Sequence, residues 1–441
     1  MDKNYGSKIK EARKKLGLIQ ADLASINLSR TNISDIEKGK AKLVPSKGLL
    51  IYEVLVVKSV EKKIRISLEF DDLLSTNTKY VQLKKAYDLI LDLRLQDGDT
   101  AIINPFEIEK YRIFAIRSNI GLLKYFLLME LSNLEKTDIQ NRIKLLTNTL
   151  DYLRWERFSD IQEKYDVVLN ALTIDAYKER KLDELIMYYE FQKDNLLELG
   201  KAVSPRVYYN LYLFYEESCH YKEALFNIEI YLSQRSILSI EDYYSALIAK
   251  ARLFTKQKMY KKGIELYEDL LSELNDTRMV SKKSIILSNL IYNIPKLDTA
   301  YSMETYKGYM DTLRALVSDV INQKVMPAHM YANLSIGYNY IGDYEASREY
   351  CVSAIELAEN NSQKVEILFD LFDNIKNVKL DNLFIRTLVS INEAVLNEKI
   401  RRDLFVLLLR VQKQLLLDDN KELVNILENY INDLGGKNEE T

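Results

Sequence analysis

The stretch from Gln20 to Gly39 reads QADLASINLSRTNISDIEKG. It divides into two short helical segments around a turn. Gln20 opens the first, and Leu23 and Ala24 make its apolar side. Ile26-Asn27-Leu28 forms the turn. Ser29 stands where an N-cap belongs, its hydroxyl placed to accept from the backbone N–H of Asn32. Ile33 and Ile36 are three apart and face inward on a helix. Gly39 closes the second segment, where positive φ costs glycine nothing. Two short helices joined by a short turn make a helix-turn-helix unit.

Working outward, residues 1–18 form a preceding helix. Ile9, Ala12 and Leu16 lie on one face, and Lys8, Lys10, Lys14 and Lys15 surround the other. After Gly39 a loop runs to Lys47. Leu49, Leu50, Tyr52, Val54, Leu55 and Val57 then complete a small core. Residues 58–80 read as a connector, with Glu61-Lys62-Lys63 charged and Ser75-Thr76-Asn77-Thr78 polar. This sets a domain boundary near residue 70.

Ile9-Lys10-Glu11-Ala12-Arg13, Leu16-Gly17-Leu18, Gln20-Ala21-Asp22-Leu23-Ala24, Ser29-Arg30, Ile33-Ser34, Ile36-Glu37 and Gly39-Lys40 follow in order. Over residues 5–57 this series resembles a DNA-binding domain of the lambda-repressor/Xre type. The turn is one residue shorter than is usual there, and Asn27 replaces a glycine. Asn tolerates the left-handed conformation, so a shortened first helix is expected. The resemblance implies that the second helix enters the major groove. Arg30, Thr31, Asn32, Ser34 and Asp35 match positions facing the groove, and Ser29, Lys38 and Lys40 complete the expected contacts. Arg30 has the chemistry for guanine O6/N7 and Asn32 for adenine. Gln20 matches a residue that meets a phosphate. Arg13 and Glu37 match an ion pair tying the two helices together, a pairing that holds geometry and reads no base.

The charge distribution agrees. Residues 1–65 hold 15 Lys and Arg against 7 Asp and Glu, and because the whole chain is −3, the remainder carries −11. A basic head suits phosphate, and an acidic body avoids it.

Across 441 residues there are only 13 glycines and 5 prolines. Few breakers among abundant Leu, Ile, Lys and Glu give an all-α expectation. Two cysteines, Cys219 and Cys351, exclude a disulfide framework. Cys219 and His220 are adjacent, and two ligands do not make a metal site. The start, MDKNYGSKIK, is polar, and the longest apolar runs fall short of a membrane span. The expected location is the cytoplasm, with no membrane partner.

Beyond residue 80 the pattern is helix after helix. One unit reads Tyr331-x-x-Leu334-Ser335-x-x-Tyr338, Gly342-Asp343-Tyr344, Ser347, Ala354. Another has Tyr208-x-x-Leu211-x-x-x-Tyr215, then Tyr221-x-x-Ala224. A third has Leu247-x-x-x-Ala251-x-x-Phe254, then Tyr260-x-x-Gly263 and Tyr267. The units resemble tetratricopeptide repeats, with small residues at the helix crossings. Their spacing exceeds the usual repeat of about 34 residues. Residues 71–441 are therefore expected to form a tetratricopeptide-like α-solenoid behind a helix-turn-helix domain of residues 1–70, with a concave inner face.

Asn210-Leu211, Asn289-Leu290 and Asn333-Leu334 occur at matching places. An Asn amide both donates and accepts, so these three can pair with an extended peptide backbone, or can only cap and bridge within their repeats. Asn293 extends the line from Asn289. Tyr209 joins the set, and Arg206 and Arg252 have the chemistry to hold a carboxylate. The run Leu404-Phe405-Val406-Leu407-Leu408-Leu409 is more apolar than a terminal repeat needs, so residues 380–435 are expected to contribute to a homodimer.

Phosphate-binding loops, dinucleotide loops, HExxH and nucleophile-elbow motifs are absent, which argues against an enzyme; no cofactor is expected. The combination of head and body resembles the peptide-responsive regulators of Gram-positive bacteria, the Rap/Rgg/NprR/PlcR/PrgX group. That resemblance implies a homodimeric transcription factor that binds an operator and a short signalling peptide. The alternatives are a module that grips a response regulator, and a ligand-free repressor whose repeats serve dimerisation alone.

Overall fold

The structure, a computed structural model, describes residues 5–25, 28–95, 105–135, 138–155, 161–274, 279–322, 327–374, 382–391, 398–417 and 421–436. Among them are 22 α-helices and no strand, only an isolated bridge between Ser25 and Leu28. No helix among the described residues is long and apolar enough to cross a membrane. By packing, the chain divides into two compact units, Met1–Val203 and Ser204–Thr441.

The first unit begins with α1 (Tyr5–Lys15), a 3-10 turn at Gln20–Leu23, α2 (Arg30–Glu37) and α3 (Pro45–Lys62). It continues with α4 (Asp71–Leu74), α5 (Thr78–Leu95), α6 (Pro105–Arg117), α7 (Leu123–Leu134), α8 (Ile139–Trp155), α9 (Ile161–Lys178) and α10 (Leu182–Glu198). Ile9, Leu16, Leu23, Ile33 and Ile36 are buried together with Ile51 and Leu55 of α3. α1 crosses close over the end of α2 at Gly6, where an added Cβ would lie 2.1 Å from the carbonyl oxygen of Ile36. Only a residue without a side chain permits that approach.

The packing does not break near residue 70, where the sequence suggests a boundary. Ile66, Leu68 and Phe70 are buried in alternation with exposed Ser67 and Glu69, the period of an extended segment covered on one side. They join the same apolar cluster as α3, α5 and α7. The rings of Tyr52 and Tyr80 lie 4.8 Å apart. The hydroxyls of Ser59 and Tyr87 are 2.7 Å apart, and the Ile66 N–H donates to Tyr87 Oη at 3.0 Å. Residues 58–80 are part of a core, and their surface charge disguises it.

The second unit holds α11 (Pro205–Glu217), α12 (Tyr221–Ser233), α13 (Ile240–Lys256), α14 (Tyr260–Glu273), α15 (Val280–Asn293) with a 3-10 turn at Ile294–Lys296, and α16 (Met303–Asn322). It ends with α17 (Pro327–Tyr340), α18 (Tyr344–Glu356), α19 (Asn361–Asn374), α20 (Asn382–Val389), α21 (Glu398–Leu417) and α22 (Lys421–Gly436). Each helix from α11 to α19 packs on the next, and α13, α15, α17 and α19 also touch in turn. Local chemistry sets the ends. Pro205 and Pro327 open helices where a missing N–H costs nothing. Ser239 Oγ accepts from Asp242 N, and Asp343 Oδ1 from Ala346 N, each at 3.1 Å. At Gly263 an added Cβ would meet Thr255 Cγ2 at 2.4 Å, so α13 and α14 are close there.

Candidate nucleic-acid and ligand sites

In the head, Ser29 caps α2 as its position suggests, with Oγ accepting from Asn32 N at 3.1 Å. Gly39 has φ of +70°, and beyond it the N–H of Lys40 donates to Asp35 O at 2.8 Å. α2 buries Ile33, Ile36 and Glu37. Ser29, Arg30, Thr31, Lys38 and Lys40 are exposed, while Asn32, Ser34 and Asp35 are half-buried. The expected groove-facing positions are therefore brought to one side of one short helix, with a lysine on each side of its closing glycine.

Arg13 and Glu37 form the expected pair. Arg13 Nε donates to Glu37 Oε1 at 2.6 Å and Nη2 to Oε2 at 2.9 Å, while Nη1 reaches Leu18 O at 2.7 Å. Their side chains are 10% and 2% exposed. Burial opposes ionisation of Glu37, but hydrogen bonds from Arg13 and Gln20 outweigh it and hold the carboxyl below its usual range.

Two expectations change. Gln20 opens a four-residue 3-10 turn, not an α-helix. Ser25 pairs with Leu28 in an isolated bridge just beyond it. The Gln20 side chain is also not displayed for a phosphate: Nε2 donates to Glu37 Oε2 at 2.8 Å. Asn27 lies outside the described residues.

In the second unit, Arg252 is spent within the chain. Its Nε and Nη2 donate to the two oxygens of Glu216 at 2.8 and 2.7 Å, and Nη2 also reaches Tyr212 Oη at 2.7 Å. Lys256 Nζ lies 3.2 Å from Glu216 Oε1. Burial again opposes ionisation of Glu216, and Arg252 leads the groups that keep its carboxyl low. The carboxylate expected to meet Arg252 is thus Glu216, one that α11 itself supplies.

The asparagines are likewise engaged. Asn289 Nδ2 donates to Ile285 O at 2.8 Å, and Asn293 Nδ2 to Asn289 O at 2.7 Å, each one turn back on its own helix. Asn333 Nδ2 crosses from α17 to Ser288 Oγ of α15 at 2.7 Å. Asn210 is half-buried, and Tyr209 packs its ring 5.5 Å from Tyr212 and 5.1 Å from Tyr231. Arg206 is exposed. Arg252, Asn289, Asn293 and Asn333 thus each give at least one donor to the protein itself.

A polar cluster on α15, α17 and α19 is not among the residues that the sequence motifs single out. Tyr292 Oη donates to Asp370 Oδ1 at 3.2 Å, and Lys296 Nζ sits 3.3 Å from the Tyr292 ring centroid. The available signal is the spacing of Glu366, Asp370 and Asp373, four and three apart on one helical face.

No protein-family model matches the chain, and no curated protein matches it.

Proposed function

We propose that the protein is a DNA-binding transcriptional regulator whose repeat body binds a short signalling peptide, and that it acts as a homodimer in the cytoplasm. The observation that carries this reading is α2. It buries Ile33, Ile36 and Glu37 and turns Arg30, Thr31, Lys38 and Lys40 outward, on a helix capped by Ser29. A short helix fixed on one side by an ion pair and armed on the other with Arg, Asn and Ser has the chemistry of base-edge readout. The successive packing of α11 to α19 supports a tetratricopeptide-like solenoid. On α21, Leu404, Leu407, Leu408, Val411 and Leu415 are buried, yet Phe405, Val406, Leu409 and Leu416 are 44–60% exposed. That second apolar face supports a second copy of the chain as its cover, and heads of this kind read paired half-sites.

The internal engagement of Arg252, Asn289, Asn293 and Asn333 favours a second reading, a ligand-free repressor whose repeats serve dimerisation alone. Selection from a pool of random duplexes tests the DNA reading: recovery of a defined, paired half-site supports it, and salt-sensitive binding without sequence preference defeats it. Peptides encoded by short reading frames beside the gene then separate the two forms. A peptide that changes operator affinity selects the peptide-responsive form.

A further inference from the structure

α19 carries three carboxylates on one face, Glu366, Asp370 and Asp373, and like charges at such spacing repel. Each meets a different neighbour. His329 of α17 places Nε2 3.9 Å from Glu366 Oε2. Tyr292 of α15 donates its hydroxyl to Asp370, and Asn374 is a second partner of that hydroxyl. Lys296, at the end of the α15 segment, lies over the Tyr292 ring. Arg410 of α21 reaches Asp373 Oδ1 at 2.5 Å. The cluster so holds three acids against an arginine, a lysine and one imidazole. Its charges balance only when one further proton is bound. Among the described residues no group of three or more His, Cys, Asp or Glu is placed to hold a metal ion instead.

We propose that this cluster is a proton-linked clasp: one proton held on the Asp370 carboxyl balances it, and loss of that proton loosens α19 from α15 and α17. Asp370 is half-buried, and desolvation among its neighbours raises its carboxyl above the usual range; His329, Tyr292 and Lys296 oppose that rise and Asp373 adds to it. Lys296 is pushed down to about 8, chiefly by burial, so it does not supply a full compensating charge at alkaline pH. The contact from α15 to α19 passes over Ala328 and Ala332 of α17, which pack in the same small cluster as Tyr292. A change in the grip of α19 is therefore felt by three helices at once. A carboxyl raised on folding favours the native state at low pH, and that contribution is lost as pH rises toward its folded value.

The test compares the full-length wild type with Asp370→Asn and His329→Gln between pH 5 and pH 8. Thermal melts are paired with hydrogen exchange of α15 and α19, corrected for intrinsic rates. The wild-type Tm is expected to fall relative to Asp370→Asn as pH rises, by about 3 °C or more across the range. Protection of α19 falls in the wild type and stays level in Asp370→Asn. His329→Gln moves the midpoint of the fall to higher pH, because a charged imidazole favours the ionised carboxyl. Parallel Tm profiles with pH-independent protection of α19 overturn the proposal. Should Asp370→Asn not fold, wild-type exchange decides alone: a loss of protection concentrated in α15 and α19 sustains it, and no loss overturns it.

Discussion

Among the arginine–glutamate pairs that hold helices together in the described residues, two invite comparison, one in each unit. Arg13–Glu37 joins α1 to α2, and Arg252–Glu216 joins α13 to α11. Both are bidentate, and in both the carboxylate takes an additional donor, Gln20 in the first and Tyr212 in the second. They differ in water. In the head, both partners are nearly dry, at 10% and 2% exposure. In the body, Glu216 is equally buried but Arg252 is 42% exposed, and Lys256 stands beside it. The first pair is a closed joint. The second is an acid in a wet, positively charged frame, and a frame of that kind accepts substitutions that a closed joint does not.

Breaking the closed joint should have the largest effect. Glu37→Ala leaves Arg13 buried without its partner, and such losses cost about 3–5 kcal/mol. Denaturant unfolding of Glu37→Ala should show a destabilised first unit, and operator binding should fail with it. Glu216→Gln should cost less, about 1–2 kcal/mol after allowing for solvent around Arg252. A loss as large as that of Glu37→Ala would erase the distinction between the two pairs. The pH response sharpens it. Glu37 and Glu216 both have lowered carboxyls, so their contributions are present above the ordinary carboxyl pKa of about 4.5. They should disappear as pH falls through the folded values, and acid unfolding of Glu37→Gln and Glu216→Gln should accordingly be shallower than that of the wild type. Smallest in stability is Arg30→Ala. Arg30 is exposed, so the Tm should stay within about 1–2 °C of wild type. Competition binding should nonetheless show about 1–3 kcal/mol of lost discrimination at a single base pair. An unchanged preference would place α2 in a different register on DNA.

The same contrast separates what the residues disclose from what they hide. Arg13, Glu37 and Ser29 are legible because the motif that residues 5–57 resemble sets their register within a few dozen residues. Arg252 is not, because its partner lies 36 positions away on a different helix, and an arginine in a repeat looks the same whether it waits for a ligand or holds its own chain. Asn289 and Asn293 fail to declare themselves for a simpler reason. A helix always offers a carbonyl one turn back, and an amide with nothing better to bind will use it. The all-helical character followed securely from scarce glycine and proline. The boundary near residue 70 did not, although the buried Ile66, Leu68 and Phe70 spaced two apart were there to be read as a covered strand-like segment.

That segment has a consequence for how the head can be used. Because Phe70, Tyr80 and Tyr87 complete the core begun by Ile9 and Ile33, residues 1–70 are not a portable cassette. Excision at the apparent linker would remove Tyr80, Leu83 and Tyr87 from the apolar cluster that also buries Tyr52, Leu55 and Val60 of α3. Chimaeras that borrow this head must therefore take α5 and α7 with it. A recombination event that moved α1 to α3 into another chain would have to carry the helices that cover them as well.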